Sequence, residues 1–412
     1  MQSIGPLTEC QICEDTRLTS ILDLGHQAPV HAHLSKEQLR LPENTFPLRL
    51  VLCQNCGLVQ LDYIGDPSVI FPPEYPYQTG MTRMLVKNFQ ELSETLLRSY
   101  QIPAGALIVD IGSNDGTLLK PFKDQGLRVL GIEPTNVARV ANKQGIRTIQ
   151  EYINLAVATQ AVEDHGKASI VTLANAFAHI FNLFELMDSI KILLADDGIF
   201  VSESQYLVDA IEKTAFDTIY HEHIRFYSLS SLEALFSRCG FSIIDAERIP
   251  AAGGSIRVVA KKGKHEMSTR AKTILKHECS IRATSSDTLH HFASSAMKSK
   301  LSLMRLLSEL KMKGARIAAL GAPARGNSLL SSVHIGPELV DYACEKTGSP
   351  KIGLFTPGTH IPIMDEKKLF EEQPEYLLVL SWHIGEELIN KMRELGYRGH
   401  FIIPLPEPHL VK

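Results

Sequence analysis

Two groups of residues in this 412-residue chain have the types and spacing that chemistry needs. Cys10-x-x-Cys13 and Cys53-x-x-Cys56 are two cysteine knuckles. Four thiolates at this spacing suit a tetrahedral zinc ion, and four protein ligands leave no open position for a substrate. Such a site is structural: a small strand-rich segment gains folding energy from the metal. The competing reading is four buried or redox-active thiols. Cys239, Cys279 and Cys344 are scattered, and the odd total of seven argues against a disulfide framework. His26 and His31 read as loop histidines rather than ligands. The second group is Tyr220-His221-Glu222-His223, an unbroken polar row. On a strand, His221 and His223 would share a face. Three readings stand: ordinary loop residues, an HxH metal pair, or a histidine base tuned by Glu222 and Tyr220. Histidine suits base chemistry because its pKa lies near working pH.

A third group is Asp110-Ile111-Gly112-Ser113-Asn114-Asp115-Gly116, which closes the apolar run ALIVDIG. Glycines let backbone approach a ligand and adopt positive φ. Glu133 ends the next apolar run, where a carboxylate can accept from both hydroxyls of a ribose. The spacing D-x-G-x-x-x-G is not G-x-G-x-x-G, so a pyrophosphate cradle fits poorly. The turn resembles the S-adenosylmethionine site of class I methyltransferases. That resemblance implies that Asp110, Gly112, Asn114, Asp115 and Gly116 face the amino-acid part, Glu133 holds the ribose, and Asn175 lies beside the cofactor. The alternative is a tight turn that binds nothing.

These groups need elements to hold them. Residues 1–72 read as turns and short strands around the cysteine knuckles, and the proline-rich FPPEYPY, residues 71–77, reads as a linker. Residues 73–264 open with a helical pattern. Strands and helices then alternate, which predicts a parallel sheet covered on both faces. Residues 265–311 are polar and helical and read as a linker. From 312 to 412 a second, smaller α/β unit begins with its own glycine turn, Gly321–Gly326. The expected fold is therefore α/β: a small zinc-binding domain, a methyltransferase-type Rossmann-like domain and a smaller C-terminal Rossmann-like domain.

Composition sets limits. Hydrophobic residues make up 44% of the chain and the net charge is −4, which excludes a disordered chain. A near-neutral balance argues against a nucleic-acid surface. The amino-terminal sequence lacks a basic segment followed by an apolar run, and no stretch approaches roughly 18 unbroken apolar residues. The expectation is a cytoplasmic protein with no membrane partner. Composition sets no oligomeric state.

Along its whole length the chain resembles the sugar C-methyltransferases of deoxysugar biosynthesis. The resemblance rests on ECQIC, LCQNC, EYPY, VDIGSNDGTLL, GIEPT, ANAFAHI, FDTIYHEHIRFYS, GGSIRVV, LGAPARGNSLL, FTPGTHIPI and IPLPEPH in this order. It implies S-adenosylmethionine as methyl donor, a structural zinc, and a nucleotide-linked 4-keto-6-deoxysugar methylated at C-3. It maps the base onto His223, preceded by Glu222 and Tyr220, and further site residues onto His179 and Tyr75. The C-terminal turn opens a helix, and helix N-termini bind anions. Arg325, with Lys351 and His360, is therefore expected to hold the nucleotide diphosphate. The chain departs from its relatives at Arg325, where lysine is frequent, at Trp382-His383 in place of Trp-Asn, and at Glu345 in place of aspartate. Methylation of another activated carbonyl compound, or a non-catalytic zinc scaffold with a degenerate cofactor fold, are the alternatives.

Overall fold

The computed structural model describes residues 4–71 and 78–412, and all counts refer to these. Near the amino terminus, β1 (Leu18–Gln27), β2 (Phe46–Cys53) and β3 (Val59–Leu61) pair antiparallel. Alternate residues of a strand face opposite sides. In β2, Leu48, Leu50 and Leu52 take one side and Val51 and Cys53 the other, yet all are buried. Such a strand must be covered on both faces. Cys53 joins Cys10, Ile12 and Leu58 in a core shared with Phe177 and Tyr227, while Leu48, Leu50 and Leu52 join a core shared with Leu303 and Leu330. The N-terminal sheet is thus a filling between the two α/β units.

Helix α1 (Arg83–Ser99) buries Leu85, Phe89, Leu92 and Leu96 at helical spacing. The next sheet contains β4 (Leu107–Ile111), β5 (Arg128–Ile132), β6 (Thr148–Ile149), β7 (Ala168–Ala174) and β8 (Leu194–Gln205). Then β9 (Arg225–Phe226) leaves this sheet and pairs with β3. The hairpin β10 (Phe241–Ile249) and β11 (Ser255–Lys262) completes the edge. The spatial order is β10-β11-β8-β7-β4-β5-β6, parallel except for β11, which runs antiparallel to both neighbours. This is the expected class I methyltransferase arrangement. It gathers the ends of β4, β5, β7 and β8 at one edge, where ligands of such sheets bind.

Helix α2 (Ser286–Met312) starts at Ser285, whose side chain caps Thr288 N. The polar composition of this stretch hides a stripe. Leu289, Phe292, Ala296, Leu303, Leu307 and Leu310 recur at three- to seven-residue steps and are buried. The segment 265–311 read as a helical linker is therefore two helices, Thr269–Ser280 and α2, both with buried residues. The C-terminal sheet has β12 (Ile317–Leu320), β13 (Tyr342–Glu345), β14 (Ile363–Asp365), β15 (Tyr376–Val379), β16 (His400–Ile403) and β17 (His409–Val411). Their order is β14-β13-β12-β15-β16-β17, with only β17 antiparallel. Helix α3 (Ala324–Val333) follows the second glycine turn. Among the described residues no helix is long and apolar enough to cross a membrane.

Candidate active site

Every residue of β4 is buried, and its end carries the glycine turn. Gly112 has φ +70°, and a Cβ there would sit 2.7 Å from the Ala176 side chain. Gly116 has φ +80°, and a Cβ there would press on Ile146 at 2.9 Å. Both positions require glycine on two counts, conformation and room. Glu133 at the end of β5 accepts from Asn114 N at 3.0 Å and Thr135 N at 2.9 Å. Each carboxylate oxygen has two lone pairs, so one on each stays open for the two hydroxyls of a ribose. Asn114 Oδ1 and Asp115 Oδ2 accept from Thr79 N and Gly80 N, both at 2.8 Å, which lays residues 79–80 over the turn. Asp110 is buried behind it and accepts from Thr172 Oγ1 at 2.7 Å. Burial pushes its carboxyl up to about 7. Asn175 follows β7 with φ 56° and donates its N–H to Glu203 O at 2.8 Å. The seven residues expected at the cofactor site are thus brought to one edge of the sheet. The bare glycine backbone and the open acceptors of Glu133 fit S-adenosylmethionine.

The Tyr-His-Glu-His row is a turn, not a strand, so His221 and His223 part company. His221 Nε2 lies 3.2 Å from Phe46 O. This removes the HxH metal pair, and among the described residues the four cysteines are the one cluster of three or more such side chains close enough to share an ion. His223 points inward. Its Nδ1 lies 2.8 Å from Thr218 O and its Nε2 2.9 Å from the Tyr220 hydroxyl. A carbonyl only accepts, so Nδ1 carries the hydrogen and Nε2 presents a lone pair to Tyr220. Burial, reinforced by the neighbouring His179, holds the ring well below 6.5, so it is neutral at physiological pH. The rings of His179 and His223 are 4.9 Å apart. Burial also drives His179 down to about 4. Tyr75 lies outside the described residues.

Several neighbours escape a reading along the chain. His31 lies in the turn after β1, while His26 stands in β1 itself, and His31 Nε2 lies 3.5 Å from Glu222 Oε1. It is no loop bystander. Burial, with the Lys351 charge next, lowers it to about 3. His33 donates Nδ1–H to His31 O at 3.2 Å and faces Asn327 Nδ2 at 3.4 Å. Glu203 is fully buried at the end of β8, where Arg257 and Asn88 both donate to it. The pairing HAH in residues 31–33 is the one local signal for this group.

The three C-terminal residues expected to hold a diphosphate each have protein partners. Arg325 makes a bidentate pair with Asp217, Nε to Oδ2 at 2.9 Å and Nη2 to Oδ1 at 3.0 Å, and Nη1 donates to Ala252 O at 2.9 Å. Trp382 Nε1 also donates to Asp217 Oδ2, at 2.9 Å. Lys351 Nζ meets Ala322 O at 2.8 Å and Glu345 Oε1 at 3.2 Å. His360 is half-exposed and pairs with Glu43 at 2.9 Å. The Arg325 guanidinium is therefore turned toward an internal carboxylate, where it ties the two α/β units together. Removing one partner of a buried pair leaves an uncompensated charge, which costs about 3–5 kcal/mol. The predicted result for Asp217→Ala is a lower urea midpoint corresponding to a loss of that size. A loss under ~1 kcal/mol would show that the pair is solvated and contributes little.

The cysteines form a closed site. Cys10 Sγ lies 3.4 Å from Cys56 Sγ, and Cys13 Sγ lies 3.4 Å from Cys53 Sγ. All four sulfurs lie within 4.8 Å of one another. A disulfide needs about 2.05 Å, whereas a zinc tetrahedron with Zn–S near 2.3 Å spaces its sulfurs by about 3.8 Å. The donor set and spacing fit zinc, with no position left for a substrate.

Three family models match in chain order. A zinc binding domain covers residues 10–71, a methyltransferase domain 77–246, and a C-methyltransferase C-terminal domain 250–406. The chain is 31% identical to C-methyltransferase NovU of Streptomyces niveus over 412 residues, 99% of this chain and 98% of that protein. Among solved structures, the glycopeptide N-methyltransferase MtfA complexed with S-adenosyl-L-methionine is 15% identical. It matches 42% of this chain and 93% of its own, with a TM-score of 0.34. The CcbJ methyltransferase of Streptomyces caelestis is 12% identical over 43% of this chain and 90% of its own, with a TM-score of 0.33. An end-to-end match at this identity, on top of the glycine turn with Glu133 and the closed cysteine site, places the chain in the C-methyltransferase family as an S-adenosylmethionine-dependent enzyme with a structural zinc.

Proposed function

We propose that the enzyme methylates C-3 of a nucleotide-linked 4-keto-6-deoxysugar through an enolate. The observation that carries this reading is the neutral His223 with its lone pair on the Tyr220 hydroxyl. A 4-ketone acidifies the C-3 hydrogen, and carbon methylation there needs a base that is unprotonated at working pH. His223 is that base. The Tyr220 hydroxyl lies on the path: it takes the substrate proton and passes its own to Nε2. Charging a buried imidazole is costly, but the enolate oxygen gains its negative charge in the same step. The two charges form together in a water-poor site, where their attraction is strong. His179 would donate to the developing enolate oxygen, and Tyr75 takes a role at the sugar from the family resemblance alone. Glu222, braced by His31, would hold a sugar hydroxyl.

S-adenosylmethionine supplies the electrophilic methyl when bound. Asp110, Gly112, Asn114, Asp115, Gly116, Glu133 and Asn175 would hold it, which fixes donor and carbon nucleophile in line and lowers the entropic barrier. Lys351, whose charge reaches His31 and His33, would face the diphosphate. Arg325 would act as a tie between units rather than a phosphate ligand. The test is a turnover assay over a panel of nucleotide-linked sugars with and without the 4-ketone, read by mass. A gain of one methyl confined to the 4-keto members is expected. Equal methylation of a 4-hydroxy sugar, or none of any 4-keto sugar, would reject the enolate reading.

A further inference from the structure

His179 sits in residues 175–182, a stretch without regular structure between β7 and the following helix. Buried carbonyls there need donors from outside the stretch. Arg225 supplies them. Its Nη1 donates to Ile180 O at 2.8 Å and to Phe177 O at 3.4 Å, and its Nη2 donates to Phe181 O at 2.8 Å. The backbone adds Ile224 N to Ala178 O at 3.1 Å. Arg225 is 1% exposed, and its two Nη atoms meet neutral carbonyls. A guanidinium this deep needs a counter-charge.

Tyr227 is the first group that favours its charge, and the cysteine site is the next. Zinc with four thiolates carries a net charge of −2, and Cys10 is among the charges acting on Arg225. The backbone points the same way. In β9, Arg225 pairs with Gln60 of β3, and Leu61 N donates to Ile224 O at 3.0 Å. Gln11 lies between two of the cysteines. Its N donates to Gln60 Oε1 at 2.8 Å, and its side chain reaches Ile224 O at 3.4 Å. A short run of contacts thus leads from the knuckle, through Ile224 and Arg225, to the carbonyls around His179. His223 precedes Arg225 by two residues and packs its ring on His179.

We infer that Arg225 is a positioning residue that couples the zinc knuckle to the His179–His223 pair, so that the bound metal sets the geometry of the reacting side chains. The inference uses the assignment of those histidines to the active site, but its test needs no sugar, so the two can fail separately. Amide hydrogen exchange is followed segment by segment on the full zinc-loaded chain, on Arg225→Gln, and on the wild-type chain after zinc is withdrawn by a chelator. Losing donors to three carbonyls should speed exchange across 176–182 by about tenfold or more in Arg225→Gln. Zinc content and S-adenosylmethionine affinity should stay at wild-type levels. Zinc withdrawal should speed exchange in the same stretch and in 220–226, while 107–111 and 168–174 keep their protection. Should Arg225→Gln fail to accumulate folded, Arg225→Lys, which keeps the charge but not the fork, is read in the same way. Unchanged exchange across 176–182 after zinc withdrawal would overturn the inference. So would a uniform rise across all segments, which marks general destabilisation.

Discussion

His223→Asn is expected to lower turnover by about 10²–10⁴-fold, the range a positioned general base contributes, with S-adenosylmethionine affinity unchanged. Asparagine can still donate to Thr218 O, so the turn keeps its shape, but it offers no basic lone pair to Tyr220. Tyr220→Phe should lose turnover too, because the hydroxyl lies between the substrate and Nε2. The pH profile adds a second check. Burial lowers the folded pKa of His223 below its ordinary value of 6.5, so the ring stays neutral as pH falls through 6.5. Turnover that depends on neutral His223 should therefore show its acid limb well below pH 6.5. A limb centred at the ordinary histidine value would mean that the base is solvated. Calorimetry with S-adenosylmethionine and single-turnover kinetics separate the cases. Near-normal turnover in His223→Asn would remove it as the base.

The features legible in the sequence were those whose chemistry depends on local spacing. Two CxxC knuckles, a D-x-G-x-x-x-G turn and a carboxylate at the next strand end each specify their geometry within a few residues. The structure places Gly112 against Ala176 and Glu133 on two backbone N–H groups, as such a turn requires. What stayed hidden depends on partners far along the chain. Arg325 at a helix start reads as an anion ligand, and only the fold brings Asp217, 108 residues away, onto its guanidinium. The same holds for His31 and Glu222, which meet from turns far apart in the chain. Arg225 looks like an ordinary strand arginine until the 177–181 carbonyls close around it. The Tyr-His-Glu-His row was ambiguous because period-two spacing is informative only on a strand, and here the backbone turns.

Zinc withdrawal is expected to have the largest effect on stability. The N-terminal sheet contributes three strands of its own, and a sheet that small is marginal without other support. Its knuckles lie before β1 and at the end of β2, where Leu18 pairs with Cys53, so the metal clamps the open end of the hairpin. A structural zinc supplies an apparent ~10–16 kcal/mol at neutral pH, comparable to the ~5–15 kcal/mol that a typical domain has in total. The native enzyme should contain one zinc per chain by metal analysis. Chelation, or Cys53→Ser, should abolish cooperative melting of the N-terminal sheet. The consequence extends beyond it, because this sheet covers one face of each α/β unit. Losing the cover exposes Phe177 and Tyr227 on one side and Leu303 and Leu330 on the other, large contiguous apolar surfaces that favour aggregation. Metal-free chain should therefore bind a hydrophobic dye while β4 and β7 keep their protection, even though none of the ligands touches the methyl-donor turn. A metal-free chain that binds no dye and melts at the native temperature would show that packing alone holds the sheet between its neighbours.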